Sequence, residues 1–186
     1  MKKVFLITLL LFYSLKVHSL EVTLTQGSVK PTPIAVTELY SKNSQLTKVG
    51  KNISTVISDN LERSGLFLPI DKRSFIQDNE SLANKPRFED WKLIKAQHLV
   101  SGKISSNNGK ISVEFRLYDV FQQKQIVGKK YETNEKNWRR VAHIISDSIF
   151  KNITGEGGYF DTRIVYVAET GPKENKQKRL AIMDQD

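Results

Sequence analysis

The sequence predicts an α/β (α+β) two-layer sandwich, a mixed sheet of about five strands covered by two long helices. Three observations predict it. Two segments, 46–61 and 138–149, repeat apolar residues at three- and four-residue steps, the period of a helix with one buried face. Between them, Asn108-Gly109 joins two runs of alternating apolar and polar residues, the pattern of a half-buried hairpin. The chain is 186 residues long and 39% hydrophobic, enough for one packed core. A helix stripe and a sheet face each need a partner, and covering one with the other satisfies both.

The chain opens on Met1-Lys2-Lys3, an apolar run from Val4 to Leu15, and Lys16-Val17-His18-Ser19. Spanning a bilayer takes about twenty apolar residues, and this run is shorter. A basic start, a short apolar centre and small residues at Val17 and Ser19 describe a secretory signal peptide over residues 1–19, cleaved after Ser19. The alternatives are a buried N-terminal helix and an uncleaved anchor. No cysteine occurs, so no disulfide forms and no lipid attaches after the cleavage site. The mature chain is expected to be soluble and exported. The formal net charge is +9, and three of the positive charges lie in the signal segment. The remaining basic residues are interleaved with acids and lack an aromatic platform, which argues against nucleic-acid binding.

Leu20 to Gln26 alternates, with Leu20, Val22 and Leu24 against Glu21, Thr23 and Thr25. It reads as an extended arm over residues 20–32, separated by Gly27-Ser28 and Pro31-Thr32-Pro33 from a domain over 33–158. Pro33 opens a β-type run from Ile34 to Tyr40. The first helix comes next, capped by Ser44 or Asn43, striped by Leu46, Val49, Ile53, Val56, Ile57 and Leu61, and stopped at Gly65. Leu66 to Ile70 reads as a short edge strand because Pro69 has no N–H to donate. Asp71 to Lys85 is polar and reads as a loop, and Phe88 to Ala96 as a short helix bearing Trp91 and Ile94. His98–Ser105 and Lys110–Asp119 form the hairpin, and Gln125 to Thr133 continues it. The second long helix runs from about Glu135 to Ile153, striped by Trp138, Val141, Ala142, Ile145 and Ile149 and stopped by Gly155. Two further β-type runs, Asp161–Glu169 and Lys178–Met183, form a lone hairpin within residues 159–186. Such a hairpin is marginal in water, so mobility is expected from Phe160 onward.

Few residues suggest chemistry. His143, Arg139, Asp147 and Phe150 share one face of the second helix, opposite its stripe. Asp147, four residues on, could orient the imidazole of His143 as a general base, which admits a secreted hydrolase as the alternative function. No nucleophile or pocket accompanies the pair, so a surface pair or a domain-interface contact through Arg139, His143 and Asp147 is the favoured reading. His98 reads as a packed or edge histidine. Two histidines after the signal segment, no cysteine and no calcium-loop pattern leave no metal site. Gly155-Glu156-Gly157-Gly158 comes after a helix instead of a strand, so it is a linker and no phosphate cradle. No catalytic residue, cofactor or small-molecule substrate is expected.

Several stretches together resemble the TolB family of Gram-negative periplasmic proteins. They are Pro33–Val36, Ile57 to Phe67, which is similar to the family's "D-L-x-x-S-G-x-F" element, Trp91 through Gly102, Phe115 to Val120, and Arg139 to Asp147. The last runs on through Ile153–Glu156 to Phe160–Ile164. The resemblance implies an N-terminal α/β domain followed by a six-bladed β-propeller. Only the first hairpin of that propeller is then expected here, in Arg163–Val167 and Leu180–Asp184, with Asp184-Gln185-Asp186 similar to a "D-x-D-G" cut before its glycine. It further implies a role in the Tol-Pal system, which supports outer-membrane integrity and invagination during division. The implied partners are the C-terminal domain of TolA and the lipoprotein Pal, whose main surface is the propeller. The arm, Leu20, Glu21, Val22, Thr23, Leu24, Thr25, Gln26 and Gly27, takes the place of the family's TolA-binding segment. Its alternation also suits strand addition to another protein's sheet edge. A monomer is expected. A product left without function by the cut is the third possibility.

Overall fold

The computed structural model describes residues 30–185. The expected signal peptide and the arm Leu20–Gly27 lie outside the described residues. In chain order the elements are β1 Thr32–Val36, α1 Ser44–Arg63, β2 Phe67–Pro69, α2 Asn79–Asn84, α3 Phe88–Leu93, β3 His98–Asn107, β4 Lys110–Asp119, β5 Lys124–Asn134, α4 Trp138–Thr154, β6 Arg163–Thr170 and β7 Gln177–Asp184. Among the described residues no helix is long and apolar enough to cross a membrane.

The α1 stripe is buried as its period predicts, with Ile53, Ile57 and Leu61 fully shielded from solvent. Its cap is Asn43, whose side chain accepts a bond from the Gln45 N–H at 2.9 Å. The sheet has the order β2-β1-β3-β4-β5. β1 lies parallel to both β2 and β3, whereas β3, β4 and β5 form an antiparallel meander. β2 is indeed an edge. At the β3–β4 turn Asn108 and Gly109 have φ of 50° and 74°, the positive pair that a type I′ turn demands. β1 is shorter than the expected run: it stops at Val36, and Tyr40 rejoins the sheet only as a single parallel bridge to Lys103.

α1 and α4 cover one face. Ile111, Val113, Phe115 and Leu117 of β4 point to them, as the alternation predicts, and Val127 and Tyr131 of β5 join from the same side. The expectation of a loop over Asp71–Lys85 is corrected, because Asn79–Asn84 is a helix. Asp78 starts it by accepting the Ser81 N–H at 2.9 Å, and Leu82 and Ala83 are buried. One turn carries only that apolar pair, too short a pattern to show a period. α2 and α3 lie on the opposite face of the sheet at its parallel end. There Leu82, Trp91 and Ala96 pack with Ala35, Leu99, Tyr118 and Val120. The buried Gln77 ties this corner together. Its carbonyl accepts from the Arg87 N–H at 2.8 Å and the Trp91 Nε1 at 3.2 Å, and its amide donates to the Lys85 carbonyl at 2.8 Å.

The main core continues past residue 158. Phe160 is 1% exposed and meets Phe150 edge-on at 5.8 Å between ring centres. Beyond it, β6 and β7 pair with each other as a separate two-stranded sheet. Their side chains Val165, Val167, Leu180 and Ile182 are each more than half exposed.

Candidate functional site

α4 presents a wider buried face to α1 than its apolar stripe alone. His143, placed by the helical period opposite that stripe, is 3% exposed and sits in the α1–α4 seam, so of the two expected alternatives the surface pair does not hold for it. The side chain responsible is Asn60 of α1, itself fully buried. Its Oδ1 accepts from Arg63 Nη2 at 2.5 Å. A guanidinium can only donate, so the orientation of the Asn60 amide is fixed. Asn60 Nδ2 then faces His143 Nδ1 at 2.9 Å and the Ser146 hydroxyl at 3.0 Å, and Nδ1 is the acceptor. Arg63 extends the network outward, donating through Nη1 to the carbonyl of Gln185 at 3.2 Å.

Asp147 has a different task. Its carboxylate accepts the N–H of Phe160 at 2.7 Å and the N–H of Asp161 at 3.1 Å, one oxygen for each. Gly158 makes this approach possible. A methyl group there would lie 2.2 Å from Asp147 Oδ1 and 2.5 Å from its Cα, closer than atoms can come. Gly155, at φ 83°, has already ended α4 and turned the chain back. Arg140 holds Asp161 by a salt bridge at 3.2 Å, and Gln185 Nε2 donates to the Phe160 carbonyl at 3.0 Å. Arg139 is exposed, with its guanidinium 5.8 Å from the centre of the Trp138 ring.

This arrangement gives a hydrolase no support. The imidazole of His143 is shielded from solvent and its Nδ1 is engaged by Asn60, while both carboxylate oxygens of Asp147 hold backbone. The pair and its neighbours fasten the segment after α4 to the α1–α4 face. Sequence spacing alone does not single out Asn60, Arg63, Arg140 or Gln185. Asn60 does lie one residue before Leu61 on the α1 stripe, and a buried amide on an apolar face is a signal that the seam needs a polar partner.

His98 opens β3 opposite Asp119. It is half-buried, and burial pushes its imidazole below the usual histidine range, with the Asp119 carboxylate opposing part of that shift. No group of three or more metal-ligating side chains stands together among the described residues.

On the open face of the sheet a polar cleft of about 640 Å³ lies between α2, the 40–43 segment and strands β3 to β5. Tyr40 donates to Glu80 there at 2.7 Å, and that hydrogen bond raises the phenol above its ordinary range.

The chain matches the family described as the TolB amino-terminal domain over residues 20–126. It is 50% identical over 166 residues to the "Tol-Pal system protein TolB" of Paramagnetospirillum magneticum, a match covering 89% of this chain and 37% of the relative. The chain thus spans little more than a third of the length of that curated relative. Among solved structures it is similar to TolB from Acinetobacter baumannii, with a TM-score of 0.67 and 24% identity over 83% of this chain and 37% of that one. That likeness supports the α+β fold.

Proposed function

The chain belongs to the TolB family, and from that membership we propose that it is a periplasmic, non-enzymatic component of the Tol-Pal system, acting through protein–protein contacts. In this reading it supports outer-membrane integrity and envelope invagination at division. The observation that carries the reading is the family match, which begins at Leu20, the first residue of the arm. Supporting it, the two residues that could have formed a catalytic pair are committed to structure.

The arm Leu20–Gly27 is the proposed contact with the C-terminal domain of TolA, by addition of a strand to that partner's sheet edge. Pal is the second proposed partner, bound chiefly by a propeller of the whole protein. Arg139, His143 and Asp147 serve the junction between the α/β domain and the segment C-terminal to it: Asp147 grips the linker, and His143 braces the seam beneath it. The direct test is to delete residues 20–27 and titrate the chain against the TolA C-terminal domain. Loss of binding is expected; unchanged affinity would remove the arm from the proposal and leave the family assignment standing.

A further inference from the structure

The open face of the sheet carries a cross-strand row that neither the arm nor the linker uses. Tyr40 bridges to Lys103, Lys103 lies opposite Glu114, and Glu114 lies opposite Lys130. Partners in register point to the same face, so these four side chains line one wall. Ser105, Ser112 and Glu132 form the next row toward the hairpin tip. The cleft above is closed on its other sides by Lys42 and Asn43, which lead into α1, and by Glu80 and Asn84 of α2. Arg116 seals one end by donating to the Ala83 carbonyl at 3.3 Å.

The charges in this cleft are unequally engaged. The acids of this wall have partners, Glu80 with the Tyr40 hydroxyl, Glu114 with the Arg116 guanidinium and Glu132 in the next row with Lys130 at 3.1 Å. Among the described residues the ammonium groups of Lys42 and Lys103 form no ion pair, and Lys103 is half-buried. The first turn of α1 beside Lys42 carries no acidic residue, so its N-terminal partial charge adds to theirs. The wall also holds Ser112, whose hydroxyl bonds to no other described residue and is open to the cleft.

We propose that this cleft is a docking site for an acidic, extended peptide segment of a partner protein. Charge complementarity selects the sign, and spacing selects the shape. Lys103 and Lys130 stand two strands apart, roughly 10 Å, with Glu114 between them. An extended chain repeats side chains on one face at about 7 Å, so one carboxylate reaches Lys103 and the next reaches Lys130 in place of its exposed partner Glu132, whereas one compact anion sits between them against Glu114. The Ser112 hydroxyl meets a carboxylate or a main-chain carbonyl of the same segment. The proposal uses no residue of the arm and stands apart from TolA binding.

The test is fluorescence anisotropy of two labelled eight-residue peptides, alternating Glu-Ser and alternating Gln-Ser, titrated with the full chain at low and moderate salt. The Glu-Ser peptide binds and the Gln-Ser peptide does not, and binding weakens as salt rises. Lys103→Gln and Lys130→Gln each weaken it roughly tenfold, the loss expected when a hydrogen bond to a charged group is removed. Ser112→Ala weakens it less. Glu80→Gln, which keeps an acceptor for Tyr40 while removing a negative charge, strengthens it. Lys178→Gln on β7, distant in sequence and paired with Glu169, leaves it unchanged. Unaltered thermal midpoints show that the variants remain folded. Equal binding of both peptides, no binding of either, or Lys103→Gln and Glu80→Gln variants that bind like the parent overturn the proposal. Displacement by equimolar inorganic phosphate also overturns it, by showing a small-anion site instead.

Discussion

Two residues show how single atoms decide this molecule. Gly158 lies so close to Asp147 that a methyl group would overlap its carboxylate and its Cα. Gly158→Ala therefore forces the linker off the helix and breaks the bonds to the Phe160 and Asp161 N–H groups. A loss of about 1–3 kcal/mol is expected in urea unfolding, the usual cost of overpacking a tight contact. Asp147→Ala should cost a similar amount by the opposite route, leaving both N–H groups without acceptors. If Gly158→Ala matches the parent, the linker is not held as described. His98 sets a pH dependence. Its folded pKa is depressed by burial, so the unfolded chain takes up the proton more readily. The stability this contributes is full above the ordinary histidine value of about 6.5 and falls as pH drops below it. His98→Gln should flatten the stability profile between about pH 7 and pH 5; an unchanged slope there would assign the dependence to another group.

At the scale of elements, the features that the sequence shows and those that it hides have different physical origins. α1, α4 and the β3–β4 hairpin are legible because each repeats its signal over many residues: six apolar positions in α1, and ten registered pairs around Asn108-Gly109. α2 is hidden because one helical turn buries only Leu82 and Ala83, and its determinant is the Asp78 cap. The seam between α1 and α4 escapes the sequence for a related reason. Helical period alone places His143 away from the apolar stripe, but Asn60 supplies a polar partner across the seam and draws that face inward. None of the cleft is legible, since Tyr40, Lys103 and Ser112 meet only through strand pairing. The seam network carries its own test. Asn60→Leu fills the space but strips Arg63, Ser146 and His143 Nδ1 of their shared partner, and should cost roughly 2–4 kcal/mol in chemical denaturation. Ser146→Ala leaves the Asn60–His143 bond in place and should cost only about 0.5–1.5 kcal/mol. The reverse order would show that the network is not centred on Asn60.

For the whole molecule, the question is where the α/β domain ends. Composition suggests a boundary at the glycine-rich linker, after residue 158, because the pattern of the chain changes there. Packing extends the domain further. Phe160 is inserted among Phe150 and its neighbours in the main core, its N–H is held by Asp147, and Arg140 fixes Asp161 beside it. Past Asp161 the character reverses: β6 and β7 bond only to each other as a sheet and expose most of their apolar side chains. By packing, we therefore propose the turn at Asp161-Thr162 as the end of the domain. This distinction is measurable with two truncated chains, both starting at residue 30, one ending at 158 and one at 162. The longer should retain nearly the stability of the parent, because the hairpin it lacks contributes little buried surface. The shorter loses the Phe160 ring and leaves its pocket open, which costs about 3–5 kcal/mol by analogy with removing a buried phenylalanine side chain. Both should give cooperative urea transitions, with the shorter at a clearly lower midpoint. Coincident midpoints would place the boundary at the linker glycines and reduce Phe160 to a contact made in passing.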